Sequence, residues 1–224
     1  MSHVVHPFSH RLGIILEWKS RWFSFGSSYK TMLRGDVLLR EYLKTRLRGF
    51  YVGGIDIERD QKSLRLIIKT SRPGMVIGRS GEGSAKLRKD ILVFLGRKKI
   101  VVPPNFKIDI EEIHSPEGSA SIVAQMVAEG LEKRLAFRRV LKQTADKVMA
   151  NREVKGAKIA LSGRLGGADM SRKEEIKKGG IPLQTFRADI DFAREKAHLP
   201  YGDLGIKVWI YKGEVFNERN PKKK

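Results

Sequence analysis

Two glycines three positions apart bracket an arginine and a serine in Val76-Ile77-Gly78-Arg79-Ser80-Gly81. Glycine lacks a Cβ, so such a backbone can meet another polymer's backbone without a side-chain clash. A helix is expected from about Glu82, and its unpaired N–H groups would face the same place and favour an anion. Arg79 supplies charge, Arg72 precedes the loop, and Lys86, Arg88 and Lys89 follow it. The chemistry these residues suit is contact with phosphate, with no bond made or broken. A glycine-capped break between two helices would use the same residues, and Glu82 opposes a very close phosphate.

Other chemistries fail on spacing. Gly78 and Gly83 have the separation of a nucleotide-hydrolysing phosphate loop, but that loop needs Lys and then Ser or Thr directly after. Ser84-Ala85 stands there, and Lys86 comes two positions late, on another side of the helix. His3, His6 and His10 lie close together without a Cys or a paired carboxylate, and read as residues of an arm rather than as metal ligands. His114 and His198 look isolated, and no Ser nucleophile sits near a plausible His base. Cysteine is absent, which removes disulfides and thiolate metal sites. No catalytic role, metal or cofactor is expected.

Two further basic groups stand out. Arg138, Arg139 and Lys142 follow Lys133-Arg134 on an expected helix, where 138 and 142 share a face and 139 lies nearby. They could converge on one strand of RNA, or simply form a solvated surface. Ser162-Gly163-Arg164-Leu165-Gly166-Gly167 is a second glycine-rich loop, followed by Arg172-Lys173 and Lys177-Lys178. Flexible glycines beside Arg164 suit irregular RNA, and they also suit an ordinary hairpin connection.

The charge balance weighs these readings. Forty-five Lys and Arg against twenty-five Asp and Glu give +20. Such an excess adds nothing to a fold and costs stability by self-repulsion. A polyanionic partner offsets that cost through neutralisation and counterion release. The cations are spread over the chain rather than gathered on one amphipathic helix, so nucleic acid is the better partner than a membrane surface. No signal peptide, membrane anchor or small-molecule substrate is expected, and a reducing cytoplasm is the natural compartment.

The elements that must position these residues read as an α+β chain. Residues 1–28 are expected to be an extended arm pinned by Trp18, Trp22 and Phe23. A helix is expected over Tyr29–Arg48, with Met32, Leu33, Val37, Leu39, Tyr42, Leu43 and Leu47 near one face. Strands at Ile55 and Leu64 are joined by a turn at Asp60-Gln61-Lys62. A short helix from Arg72 to Gly78 precedes the glycine loop. The next helix runs to about Leu95, burying Ala85, Leu87, Ile91, Leu92 and Leu95. A strand follows at Phe106. Beyond His114, Ser115 and Pro116 suit the N-cap and first position of a helix carrying Ile122, Val123, Met126, Val127, Leu131 and Leu135. A further helix over Phe137–Ala150 leads to strands at 157–161, 186–192 and 205–211. The tail, 214–224, ends in three lysines and is expected to be flexible.

The helix–G-x-x-G–helix arrangement resembles the clamp of KH domains, which holds about four nucleotides by their backbone. Further stretches resemble the bacterial form of the family of small-subunit ribosomal protein number three. They are Val5-His6-Pro7, Arg11-Leu-Gly-Ile14, Trp18 with Trp22-Phe23, Arg72-Pro-Gly-Met-Val-Ile-Gly78, Lys86-Leu-Arg-Lys89, Phe137-Arg-Arg139, Ser162-Gly-Arg-Leu-Gly-Gly-Ala168, Arg187-Ala-Asp-Ile-Asp-Phe192 and Gly205-Ile-Lys-Val-Trp-Ile-Tyr-Lys-Gly213. The resemblance implies a type II KH domain over 29–114 and a C-terminal domain over 115–213, with two helices packed on an antiparallel sheet. It implies a place in the head of the small ribosomal subunit, on its rRNA, beside small-subunit proteins ten and fourteen. It also implies that Arg138, Arg139 and Lys142 lie at the mRNA entrance and help unwind structured messenger. Arg79-Ser80 departs from the two lysines common in relatives, with one charge fewer. A free KH-domain regulator acting outside the ribosome is the alternative the residues leave open.

Overall fold

The structure is a computed structural model that describes residues 5–60, 62–100 and 102–216. Two compact units emerge from the packing, Trp18–Pro116 and a discontinuous one made of Met1–Glu17 with Glu117–Lys224. Each is α+β.

In the first unit, β1 (Ser20–Arg21), β2 (Val52–Arg59), β3 (Ser63–Thr70) and β4 (Asn105–Glu112) form a sheet in that order. β2 and β3 are an antiparallel hairpin, while β3 and β4 run parallel. A parallel partner cannot be reached by a tight turn. The crossover between β3 and β4 carries α3 (Pro73–Ile77) and α4 (Glu82–Arg97), so the glycine loop sits within it. Period-two alternation buries Leu64, Leu66 and Ile68 against Leu39 and Leu43 of α2 (Gly26–Arg46) and Leu87, Ile91 and Leu95 of α4.

The expected burial of α2 is corrected at its first half. Leu33 and Val37 are exposed, and Gly35 and Asp36 are buried instead. Arg59 Nη2 and Trp22 Nε1 each donate to the Asp36 carboxylate at 2.7 Å, so a charge that hydropathy places outside is held inside. Leu92 and Ala85 of α4 are exposed as well.

In the second unit, β5 (Gly156–Gly163), β6 (Arg172–Gly179), β7 (Ala188–Leu199) and β8 (Gly202–Glu214) form an antiparallel sheet in the order β6-β5-β8-β7. Helices α5 (Ala120–Glu132) and α6 (Phe137–Ala150) cover one face. Val123, Val127 and Leu131 meet Val140, Leu141 and Val148 over Ile159, Leu161, Ile206 and Val208. The helix expected to start at Ser115 begins later. Pro116–Gly118 is a 3-10 turn, and the Ala120 N–H that opens α5 donates to Asp191 Oδ2 of β7 at 2.8 Å. Leu135 lies beyond that helix and is exposed.

The opening segment is not an extended arm. α1 (Pro7–Arg11) folds against the second unit, while residues 18–28 belong to the first, where Trp18 and Phe23 are exposed. The reason is Arg11, which is fully buried. Its guanidinium donates to the carbonyls of Pro7, Pro182, Leu183, Thr185 and Ala188. The tail beyond Phe216, and His3 of the histidine group, lie outside the described residues.

Arg11→Ala strips a charged donor from five carbonyls, and is expected to destabilise the second unit by about 3 kcal/mol, read from its urea midpoint. Burial, more than any neighbouring charge, pushes the nearby Asp189 carboxyl above the usual carboxylate range. Folding therefore opposes its ionisation, a cost absent below the unfolded pKa and complete above the folded one. Asp189→Asn is expected to raise the midpoint at neutral pH, the gain vanishing as pH falls through the Asp range.

Candidate nucleic-acid interface

The loop between α3 and α4 is built by backbone contact between glycines. Gly78 has φ +73°, and a Cβ there would lie 2.9 Å from the Gly83 nitrogen. A Cβ on Gly83 would lie 2.7 Å from the Val76 carbonyl oxygen and 2.8 Å from that of Ile77. Ser80 adopts φ 52° and ψ 22°, a left-handed conformation costly for a residue with a side chain. Gly81 is also left-handed, and the Ser84 hydroxyl donates to its carbonyl at 2.8 Å. No side chain caps the first N–H groups of α4. The result is an exposed backbone corner, with Arg79 and Ser80 at the tip and Val76 buried beneath.

The surrounding cations do not form one cluster. Arg72 lies with its Cζ 4.4 Å from the centre of the Tyr51 ring, a cation–π contact. On α4 the buried stripe of Leu87, Ile91 and Leu95 sends Lys86 and Arg88 to opposite flanks and Lys89 outward. All three are exposed.

In the second unit, the opening turns of α6 bring several expected residues together. Val140, Leu141 and Ala145 are buried, so Arg138, Arg139 and Lys142 project to solvent. Phe137 has two guanidiniums near its ring, Cζ of Arg138 and of Arg172 each 5.6 Å from its centre. The start of β6 is therefore beside the start of α6. The Gly166–Gly167 turn is also close, a Cβ on Gly166 lying 3.9 Å from the Phe137 ring.

The three α6 cations are not equivalent. Arg138 Nη2 and Nε donate to both Glu174 oxygens at 3.2 and 3.3 Å, and Arg172 stands 3.5 Å from the same carboxylate. The Arg138 hydrogen bond holds the Glu174 carboxyl below the usual carboxylate range and raises the guanidinium. Arg139 and Lys142 have no carboxylate partner among the described residues. No acid lies in the first turn of α6 and no side chain caps it, so Arg139 sits at the positive end of the helix dipole.

The second glycine loop is held by its own arginine. Arg164 Nε donates to the Ala168 carbonyl at 2.9 Å, Nη1 to that of Tyr201, and Nη2 to Asp169. Leu165 is buried. Arg164 thus fixes its own loop to the β7–β8 turn, while its side chain stays 42% exposed. Arg172 and Lys173 also part company. Strand alternation sends Arg172 to the α6 side and Lys173 to the opposite face, where it pairs with Glu175 at 3.0 Å.

Sequence reasoning missed β6 itself, since Arg172–Gly179 has only Ile176 to mark a buried face. It missed Gly83 as a closing residue of the first loop and Glu174 as the partner of Arg138. The i, i+5 glycine spacing signalled Gly83, but nothing signalled Glu174. His198, expected to be isolated, has Nδ1 2.6 Å from Asp203 Oδ1. Among the described residues no group of His, Cys, Asp and Glu could hold a metal ion, and no helix is long and apolar enough to cross a membrane.

Gly83→Ala forces a methyl group against two carbonyls and is expected to lower the first unit's stability by about 1–3 kcal/mol. Ser80→Gly removes the left-handed penalty and is expected to raise it by roughly 1 kcal/mol. Thermal unfolding of the two variants checks both signs.

Comparison with known proteins agrees with this architecture. A family model described as "KH domain" matches residues 38–118, and one described as "Ribosomal protein S3, C-terminal domain" matches 127–210. The small ribosomal subunit protein uS3 of Caldicellulosiruptor saccharolyticus is 44% identical over 219 residues, covering 98% of this chain and 96% of its own. Proteins of the same name from Pseudomonas fluorescens and Stutzerimonas stutzeri are each 46% identical, covering 98% of this chain and 92% and 93% of theirs. The chain belongs to the uS3 family, whose members are structural, non-catalytic proteins of the small ribosomal subunit.

Proposed function

We propose that this chain is a structural RNA-binding protein of the cytoplasmic ribosome, seated on rRNA in the head of the small subunit. In this reading the α6 side of the second unit meets mRNA at its entrance. The observation that carries it is the pair Arg139 and Lys142, exposed and without carboxylates, on a helix start that carries no acid. Like charge at a positive helix end is unfavourable alone and becomes favourable once a phosphate lies against it. Phe137 and the Gly166–Gly167 turn fix the backbone around that start, so the cations are presented by a rigid edge.

Unwinding then needs no nucleotide hydrolysis. Fixed cations that hold single-stranded phosphates compete with re-pairing of a messenger hairpin as it opens. The Gly78–Gly81 corner and α4 supply a second backbone grip, on rRNA or messenger, through uncapped N–H groups and Arg79. Small-subunit proteins ten and fourteen are the neighbours the family resemblance implies.

In a sucrose gradient the protein is expected to co-migrate with small subunits. A wholly free pool would favour the regulator outside the ribosome. Arg139→Ala with Lys142→Ala is expected to slow translation through a messenger hairpin by several fold, with assembly nearly intact. Arg138→Ala alone is expected to do less, because Glu174 already holds that guanidinium. Equal hairpin passage by wild type and the double variant would sink the entrance role.

A further inference from the structure

The face of the second unit's sheet that α5 and α6 leave uncovered carries a lattice of cations. Its register fixes which side chains share it. Lys158 of β5 lies opposite Lys177 of β6 on one side and Trp209 of β8 on the other. Trp209 lies opposite Phe192 of β7, and Lys207 lies opposite Arg194. Lys173 and Lys196 continue the pattern on the two edge strands. Alternation makes this the face away from the main core, since Ile159, Leu161, Ile206 and Val208 point the other way.

Two of these register pairs set like charges directly against each other, Lys158 with Lys177 and Arg194 with Lys207. Directly opposed like charges destabilise a sheet. Glu175 offsets part of the first pair, lying 2.9 Å from Lys158 and 3.0 Å from Lys173. Lys177, Arg194 and Lys207 are exposed and have no carboxylate partner among the described residues. This face also differs from the α6 side, to which strand alternation sends Arg172 and Glu174.

We propose that the part of this face left free by α1 and residues 181–183, which cover Phe192 and Trp209, is a second RNA-binding surface, and that it takes the phosphate backbone rather than bases. The aromatic residues decide between the two. Trp209 is only 8% exposed and Phe192 is half-buried, packed with Ile190 and Ala160, so no ring is presented for stacking. The same feature decides against a protein occupant. Protein interfaces gather exposed apolar side chains at their centre, and the exposed large apolar residues of the chain lie elsewhere than on these strand positions. Strands about 4.8 Å apart spread the cations over a span of roughly 14 Å, suited to a run of phosphates rather than one anion. The inference rests on the RNA-binding reading above and adds a place to it.

The test uses the full chain and purified small-subunit rRNA, titrated between about 50 and about 200 mM salt. Three proteins are compared: wild type, Lys177→Gln with Arg194→Gln and Lys207→Gln, and Arg139→Ala with Lys142→Ala. The triple variant is expected to bind about tenfold or more weakly, with a log K against log salt slope shallower by about 2–3. Wild-type affinity and slope in the triple variant, with wild type binding and showing a steep salt dependence, would overturn this inference and leave the RNA-binding reading standing, whatever the α6 variant does. Unchanged RNA affinity with lost co-migration on small subunits would also overturn it, in favour of an acidic protein neighbour. No binding by wild type would end both readings.

Discussion

Like charges repel, and a chain carrying +20 must do something with every cation it presents. Three solutions coexist in this structure. Arg59 and Arg11 are buried, one on the Asp36 carboxylate and the other on backbone carbonyls. Arg138, Lys69 and Arg65 are tied to surface carboxylates. Others, including Arg139, Lys142, Lys177 and Lys207, stay exposed on helix and strand positions. Only the last group keeps its charge available to a partner. Surface ion pairs are worth little in themselves, so their main effect is to divide structural cations from functional ones.

The phosphate corner obeys a different constraint, one of space. The approach of Gly78 to Gly83 leaves no room for a Cβ on either. That contact bends the chain sharply enough to expose Arg79 and Ser80 while Val76 stays in the core. The parallel pairing of β3 with β4 makes the crossover necessary, so the topology of the sheet and the position of the loop are one fact.

Much of this was legible in the chain. The G-x-x-G spacing lay between two amphipathic segments, and α6 and β4 had clear periodicity. Long-range partners were not legible. Nothing in the sequence marked Arg11 for burial, since arginine is rarely buried and four of its five carbonyl acceptors come from segments remote in sequence. β6 went unassigned because an edge strand with one covered face needs few apolar residues. Taking Arg172-Lys173 as one basic pair followed from that error, since only a strand sends neighbours to opposite faces. Arg164, with a glycine on either side of its loop, was indistinguishable by type from a ligand-binding arginine.

The guanidinium of Arg11 joins a segment made before the first unit to carbonyls at 182–188, made after it. The unit spanning Trp18–Pro116 emerges whole between those two moments. α1 must therefore wait, undocked, through the production of the whole unit that separates it from its acceptors. A truncated product that stops before residue 182 leaves that arginine without four of its five acceptors, so incomplete chains lack a feature that marks finished ones.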